Sequence, residues 1–294
     1  MDVVVNDSWF IKTPGILVNK TAYLPLSFFI LLSGCFAPQV IPISYISGNS
    51  SPTVSQSSDY RTQAAAIASV LVSELKLPRF ESVLYVYFSL NDFKIGLVKE
   101  AEDLTGSAPQ NGDPILTVAG CSNKKILAYW PSRVPWAMRV KSLAHEMTHL
   151  AHFALGNWRC SRREHAWLME GFANWMAFSI LERLSVNTFK AERDEFLNGV
   201  RTFSNKQAFP SLKLLSPYRD WLNMLDTYEY SGTYQQSFFA VDYLIERNGL
   251  NSVVKYFTLF EHSADADKNF KAAFGIEFTD FETDFRGYFT KLSG

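Results

Sequence analysis

His145-Glu146-Met147-Thr148-His149 lies in an apolar-periodic run over about residues 136–155, with Pro131 and Pro135 before it and Gly156-Asn157 after it. Prolines at the start and a Gly-Asn pair at the end punctuate a helix. On a helix, residues four apart share a face with Cβ atoms about 5–6 Å apart, so both imidazoles reach one metal ion. Glu146 is next to His145, near that face but off the ligand stripe. Its carboxylate therefore reaches a metal-held water without binding the metal. This is the HExxH arrangement.

A catalytic tetrahedral zinc takes three protein ligands and leaves one position open. The metzincin pattern would need Gly at position 152 and His at 155, and this chain has His152 and Leu155 there. The alternative is a Glu on the next antiparallel helix. Trp167-Leu168-Met169-Glu170-Gly171-Phe172-Ala173 supplies one. On that helix Ala166, Glu170, Ala173, Asn174 and Ala177 share a face. Their small neighbours let the two helices approach, so that Glu170 reaches the metal.

HExxH followed by W-L-x-E-G-F-A resembles the gluzincin peptidases, the clan of thermolysin-like enzymes and zinc aminopeptidases. The later stretch from Tyr234-Gln235-Gln236-Ser237 to Tyr243-Leu244 and Gly249 resembles the C-terminal part of the bacterial peptidase-MA-like domain. The resemblance spans roughly residues 80–290. It implies a zincin-like fold and one zinc ion per chain. His145, His149 and Glu170 would be its ligands and Glu146 the general base. It implies a Tyr as donor to the developing oxyanion, with Tyr234 the first candidate and Tyr230 the second. Asn174 stands where relatives often carry a carboxylate that orients the first His. An Asn still accepts a hydrogen bond from His145, with less transfer of basicity. The amine-gripping G-x-M-E-N segment of the aminopeptidases is missing, since Gly120-Cys121-Ser122-Asn123 does not match it. That favours an endopeptidase acting on a peptide or protein.

The surrounding pattern reads as α+β, a small mixed sheet followed by a mostly helical half. Residues 60–77 read as a helix stopped by Pro78, Ser82–Leu90 as a strand, and Asp92–Leu104 as a helix ended by Gly106. Ile115–Ala119 and Lys125–Trp130 read as strands, and the second of these is expected to pair with an extended substrate. Ser161-Arg162-Arg163-Glu164 reads as a capping box for a helix through Leu184. Thr279-Asp280-Phe281-Glu282 reads as the cap of the last helix, whose Phe281, Phe285, Tyr288, Phe289 and Leu292 form an apolar face.

The N-terminus reads as an address. Ala22–Leu32 is apolar but too short for a spanning helix, which needs about 20 residues. It ends in Leu32-Ser33-Gly34-Cys35, a pattern similar to the bacterial lipobox, in which the Cys takes the lipid. The expected division is a signal peptide over 1–34, a flexible Ser- and Pro-rich tether over 35–58, and a peptidase domain over 59–294. Asp2 and Asp7 fit a leader poorly, and initiation at Val18 would give a conventional one. A buried N-terminal helix with Cys35 as an ordinary thiol is the competing reading. Lipidation would place the protein in the bacterial cell envelope, anchored to a membrane by its N-terminal lipid.

With 28 Lys+Arg against 29 Asp+Glu, the chain lacks the basic excess of a nucleic-acid binder. Three cysteines are too few for a disulfide scaffold. Cys121 and Cys160 are a candidate disulfide pair in an oxidising envelope. His152 reads as a residue beside the ligands or at the surface, and His165 and His262 as structural. The competing function is a catalytically silent lipoprotein that keeps the fold as a binding module.

Overall fold

The computed structural model describes residues 37–43, 45, 53–99, 104–105, 116–121, 124–159, 164–203 and 209–294. The leader, Cys35, Gly106, Cys160 and Ser161–Arg163 lie outside the described residues. Strands β1 (Gln39–Pro42), β2 (Val83–Tyr87), β3 (Leu104–Thr105), β4 (Leu116–Gly120) and β5 (Lys125–Tyr129) form one mixed sheet in the order β1-β2-β5-β4-β3. β2 and β5 are parallel and the other pairings antiparallel. Helices follow: α1 (Tyr60–Ser69) and α2 (Leu90–Lys99) accompany the sheet, and α3 (Trp136–Leu155), α4 (Ala166–Arg183), α5 (Phe189–Thr202), α6 (Tyr218–Tyr230), α7 (Gln236–Asn248), α8 (Leu250–Leu259), α9 (Ala266–Phe274) and α10 (Phe278–Ser293) build the rest. The chain is mixed α and β, with a small sheet and a largely helical second half.

Alternation sets the two faces of the sheet. Ile41, Leu84, Val86, Ile126 and Ala128 are buried toward the main core with α1 and α3. Tyr87 and Leu127 face the other way and meet Phe93 of α2. α4 is buried nearly all round, from Ala166 to Leu181, as a helix apolar on every face must be. It is the central rod, packed between α3 and α7.

Several sequence expectations shift for physical reasons. Gln39–Pro42, expected in a loose tether, pairs with β2 because Ile41 buries almost completely in the core. α2 begins at Leu90 and ends at Lys99, and Leu104 belongs to a strand instead of the helix. β5 has neighbours on both sides, so it has no free edge to receive a peptide. The helix carrying Glu170 starts at Ala166, not at Ser161. Its first N–H groups are satisfied by loop carbonyls, Ala166 N donating to Ser216 O and Trp167 N to Leu215 O, which makes a side-chain cap unnecessary. α10 starts at Phe278, ahead of the expected cap, because Phe278 is buried in a ring stack. Glu282 instead accepts from the backbone N–H of Lys213. His262 is at the surface, its side chain 79% exposed. Gly275 ends α9 with φ 74°, a conformation that favours glycine. Cys121 is buried and disulfide-bonded.

His165 caps α4 inside an aromatic box. Its ring stacks on Phe278 at 4.5 Å, and its backbone N–H donates to Tyr256 Oη at 3.0 Å. Burial lowers its pKa to about 4. The Asp267 carboxylate 3.3 Å away is well solvated and does not offset this. Because the folded pKa lies below the unfolded value of 6.5, the unfolded chain binds the proton first. Stability is therefore full above pH 6.5 and falls as pH drops toward 4, by about 3 kcal/mol from this residue. His165→Phe keeps the stack and should flatten that part of the curve in urea denaturation from pH 7 to 4. An unchanged slope would show that other groups set the acid limit.

Candidate metal centre

α3 carries His145 and His149 one turn apart, their rings edge-to-face at 4.7 Å between centroids. Their Nε2 atoms lie 3.0 Å apart. Glu170 of α4 places Oε2 3.2 Å from His145 Nε2 and 3.5 Å from His149 Nε2. These three ligand atoms converge closely enough to hold a metal ion. Asn174, one turn beyond Glu170, accepts from His145 Nδ1 at 3.0 Å. That bond puts the proton of neutral His145 on Nδ1 and leaves Nε2 with a lone pair.

The electrostatics follow from burial. His149 and Glu170 are nearly inaccessible, whereas the His145 side chain is 14% exposed and marks the open side. A lone pair on His145 Nε2 and a carboxylate oxygen 3.2 Å apart repel each other in this buried setting, and a cation between them relieves the repulsion. The donor set therefore fits a metal ion. Burial alone would raise the Glu170 carboxyl, but the adjoining imidazoles of His149 and His145 outweigh it and hold the group below the carboxylate range. Burial lowers the His149 pKa and keeps its ring neutral, the form that ligates.

Glu146 is the residue on α3 that faces this centre without joining it. It is 7% exposed. Burial raises its carboxyl well above the usual range, the charge of Glu170 adds to that, and a backbone hydrogen bond from Ala119 partly offsets it. Its Oε2 has no hydrogen-bond partner among the described residues. Ala119 is the penultimate residue of β4, so the sheet positions this carboxylate. No side-chain pattern marks that contact in the sequence.

Tyr234 comes to the site from the other half of the chain. Its ring centroid is 6.4 Å from that of His145, and it packs edge-on against Trp221. It lies in a π-helical stretch, Ser231–Gln235, between α6 and α7. Such wide turns occur often at functional sites. Just before it Glu229 adopts φ 57° and ψ −175°, a kink that costs about 1–3 kcal/mol and redirects the chain. Tyr230, the second candidate, is 45% exposed and stacks on Tyr234, one layer farther from His145. His152 is buried against His149, Phe153 and Phe257, with both nitrogens unpartnered. It is not a surface residue, and it is not among the converging ligands.

Comparison with protein families, with curated proteins and with solved structures finds no match to this chain.

The Glu170 position depends on Gly171. A Cβ there would sit 2.2 Å from the backbone oxygen of Ser237 on α7, which cannot yield cheaply. Gly171→Ala should cost about 1–3 kcal/mol in urea denaturation and weaken metal binding. Gly287 of α10 has open space around its Cβ position. Gly287→Ala should therefore be stabilising by up to about 1 kcal/mol. Equal effects at the two glycines would refute close α4–α7 packing as the constraint.

Proposed function

We propose that the chain is a zinc-dependent peptidase of the gluzincin type that hydrolyses peptide bonds in a peptide or protein substrate. The observation that carries this reading is the pairing of a three-ligand cluster with a fourth carboxylate, Glu146, that lies at the cluster without belonging to it. A structural zinc site closes with four protein ligands, often cysteines. Here three converge among the described residues, and one side stays open at His145. Two imidazoles, one carboxylate and an open position suit zinc.

When bound, zinc would lower the pKa of a water and polarise the carbonyl under attack. Glu146 takes the proton of the attacking water at Oε2 and returns it to the leaving nitrogen. Its buried setting makes it a stronger base than an exposed carboxylate, and the Ala119 bond favours its ionised form. Asn174 holds His145 in the ligating tautomer. Tyr234 donates to the oxygen on which charge develops. Endopeptidase action rests on the missing amine-gripping segment alone, because β5 has no edge to offer a substrate strand.

The same reading places the protein in the bacterial cell envelope, held by a lipid on Cys35. The Leu32-Ser33-Gly34-Cys35 pattern supports this. So does the disulfide at Cys121, a bond that persists in oxidising compartments. The balanced charge offers nothing to nucleic acid.

The discriminating experiment measures metal and hydrolysis separately. The purified chain should hold about one zinc, and His149→Ala should lose it. Glu146→Gln should keep zinc and fold while hydrolysis of a peptide library falls by about 10²–10⁴. Tyr234→Phe should keep zinc and lose about 10²-fold, mainly in kcat. Asn174 stands where a carboxylate would polarise the ligand more strongly, and this favours a second reading as a silent binding module. Normal zinc binding without cleavage of any library peptide would establish that second reading.

A further inference from the structure

We infer that the outer face of α2, together with Phe88 and Val40, rests in the interface of a lipid bilayer and sets how the molecule stands on its membrane. The inference rests on the reading of Cys35 as the lipidated residue. Gln39, the first residue of β1, is four positions beyond Cys35, with three residues between them. Even fully extended, that stretch reaches only about 14 Å. A lipid on Cys35 therefore holds one end of the sheet at the membrane surface.

The register identifies that end. β1 runs antiparallel to β2 with Gln39 opposite Val86. Continuing the same ladder by two residues puts Ala37 level with Phe88. Phe88 is 60% exposed and Leu90, just after it, 39%. Val40 projects from the same strand, on the face opposite the buried Ile41, and is 50% exposed.

α2 extends this apolar surface. Phe93 and Gly96 are buried against the sheet. Ile95 and Val98 lie on the opposite side of the helix and are 41% and 72% exposed. Five of the eight large apolar residues exposed among the described residues thus belong to this one region. At 100° per residue, exposed Lys94 and Lys99 fall on either side of the Ile95–Val98 stripe. Apolar residues flanked by lysines form an interfacial helix, with aliphatic stems along the acyl boundary and ammonium groups at the phosphates. The helix is firmly placed. A Cβ on Gly96 would meet Tyr87 Oη at 2.2 Å, so α2 lies tight on the sheet. Ser89 and Asp92 close its first turn, Ser89 Oγ donating to Asp92 Oδ2 at 2.7 Å and accepting from Asp92 N at 3.0 Å.

The orientation has a consequence for the substrate. Ala119, which bonds Glu146, pairs with Ile126, and Ile126 pairs with Leu84. Leu84 is four residues from Phe88, about 13 Å along the strand. The metal centre is thus displaced from the membrane end of the sheet toward the opposite end. Its substrate is a water-borne polypeptide, not a segment within the bilayer.

The test uses the full chain, acylated in a bacterial host and reconstituted in phosphatidylethanolamine–phosphatidylglycerol vesicles. A bilayer-resident aryl diazirine is photolysed, and labelled peptides are mapped by mass spectrometry. Residues 88–98 should carry on the order of tenfold more label than the segment holding Leu214, which is exposed to a similar degree as Leu90. Ile95→Asp with Val98→Asp should remove that excess while palmitate incorporation at Cys35 is unchanged. Equal labelling of the two segments in acylated protein would overturn the interfacial face and leave the anchor standing. Palmitate incorporation that survives Cys35→Ser would overturn the anchor itself, and with it the inferred orientation.

Discussion

Three acceptor atoms brought together in a dry interior are the constraint from which the rest of the structure follows. His145 Nε2, His149 Nε2 and Glu170 Oε2 sit 3.0–3.5 Å apart, and the bond to Asn174 leaves His145 without a proton on the side facing Glu170. Removing a carboxylate from water costs several kcal/mol unless a cation compensates. The centre also sits between α3 and α4, whose facing sides are buried, so no local rearrangement can relieve it. The folded core therefore holds a place where a metal ion could bind.

The convergence of these residues accounts for the packing of the helical half. Glu170 lies on α4, and α4 must approach α3 on one side and α7 on another. Gly171 follows the ligand directly and removes the one side chain that would hold α7 away. Ala173 and Ala177 serve the same close packing and are fully buried. The aromatic residues then fill the outer volume. Phe172 meets Phe257 of α8, and Trp167 stacks on Phe278 and Phe281 of α10. Small residues near the ligands and large ones beyond them are one packing solution to a helix that must carry a carboxylate into the core.

The parts of this arrangement that depend on local spacing were legible in the sequence. The His145–His149 turn, the Glu170 helix and the α10 stripe of Phe281, Phe285 and Phe289 all follow from a 3.6-residue period. What depends on distant pairing was not. β1 lies in a stretch whose Ser and Pro content resembles a tether, and only the burial of Ile41 against β2 makes it a strand. The start of α4 was misplaced because its orphan N–H groups are met by Ser216 and Leu215, far away in sequence. β5 reads as an edge strand until the order of the sheet is known. The Ala119 bond to Glu146 involves a backbone group, and no residue type announces it.

That backbone bond joins the two halves of the molecule where the proposed chemistry occurs. The helical half supplies all three ligands, and the sheet supplies a hydrogen bond to the carboxylate beside them. Burial pushes Glu146 toward its neutral form, and Ala119 pulls it toward the charged form. β4 can exert that pull only if its end is fixed. Its neighbours fix it, with β5 along its length and β3 against Ala119 and Gly120. Cys121, one residue past the strand, is held by a disulfide. A strand pinned on both sides and at its end gives the N–H a constant direction. Besides contributing one wall of the core, the sheet holds one donor against one carboxylate.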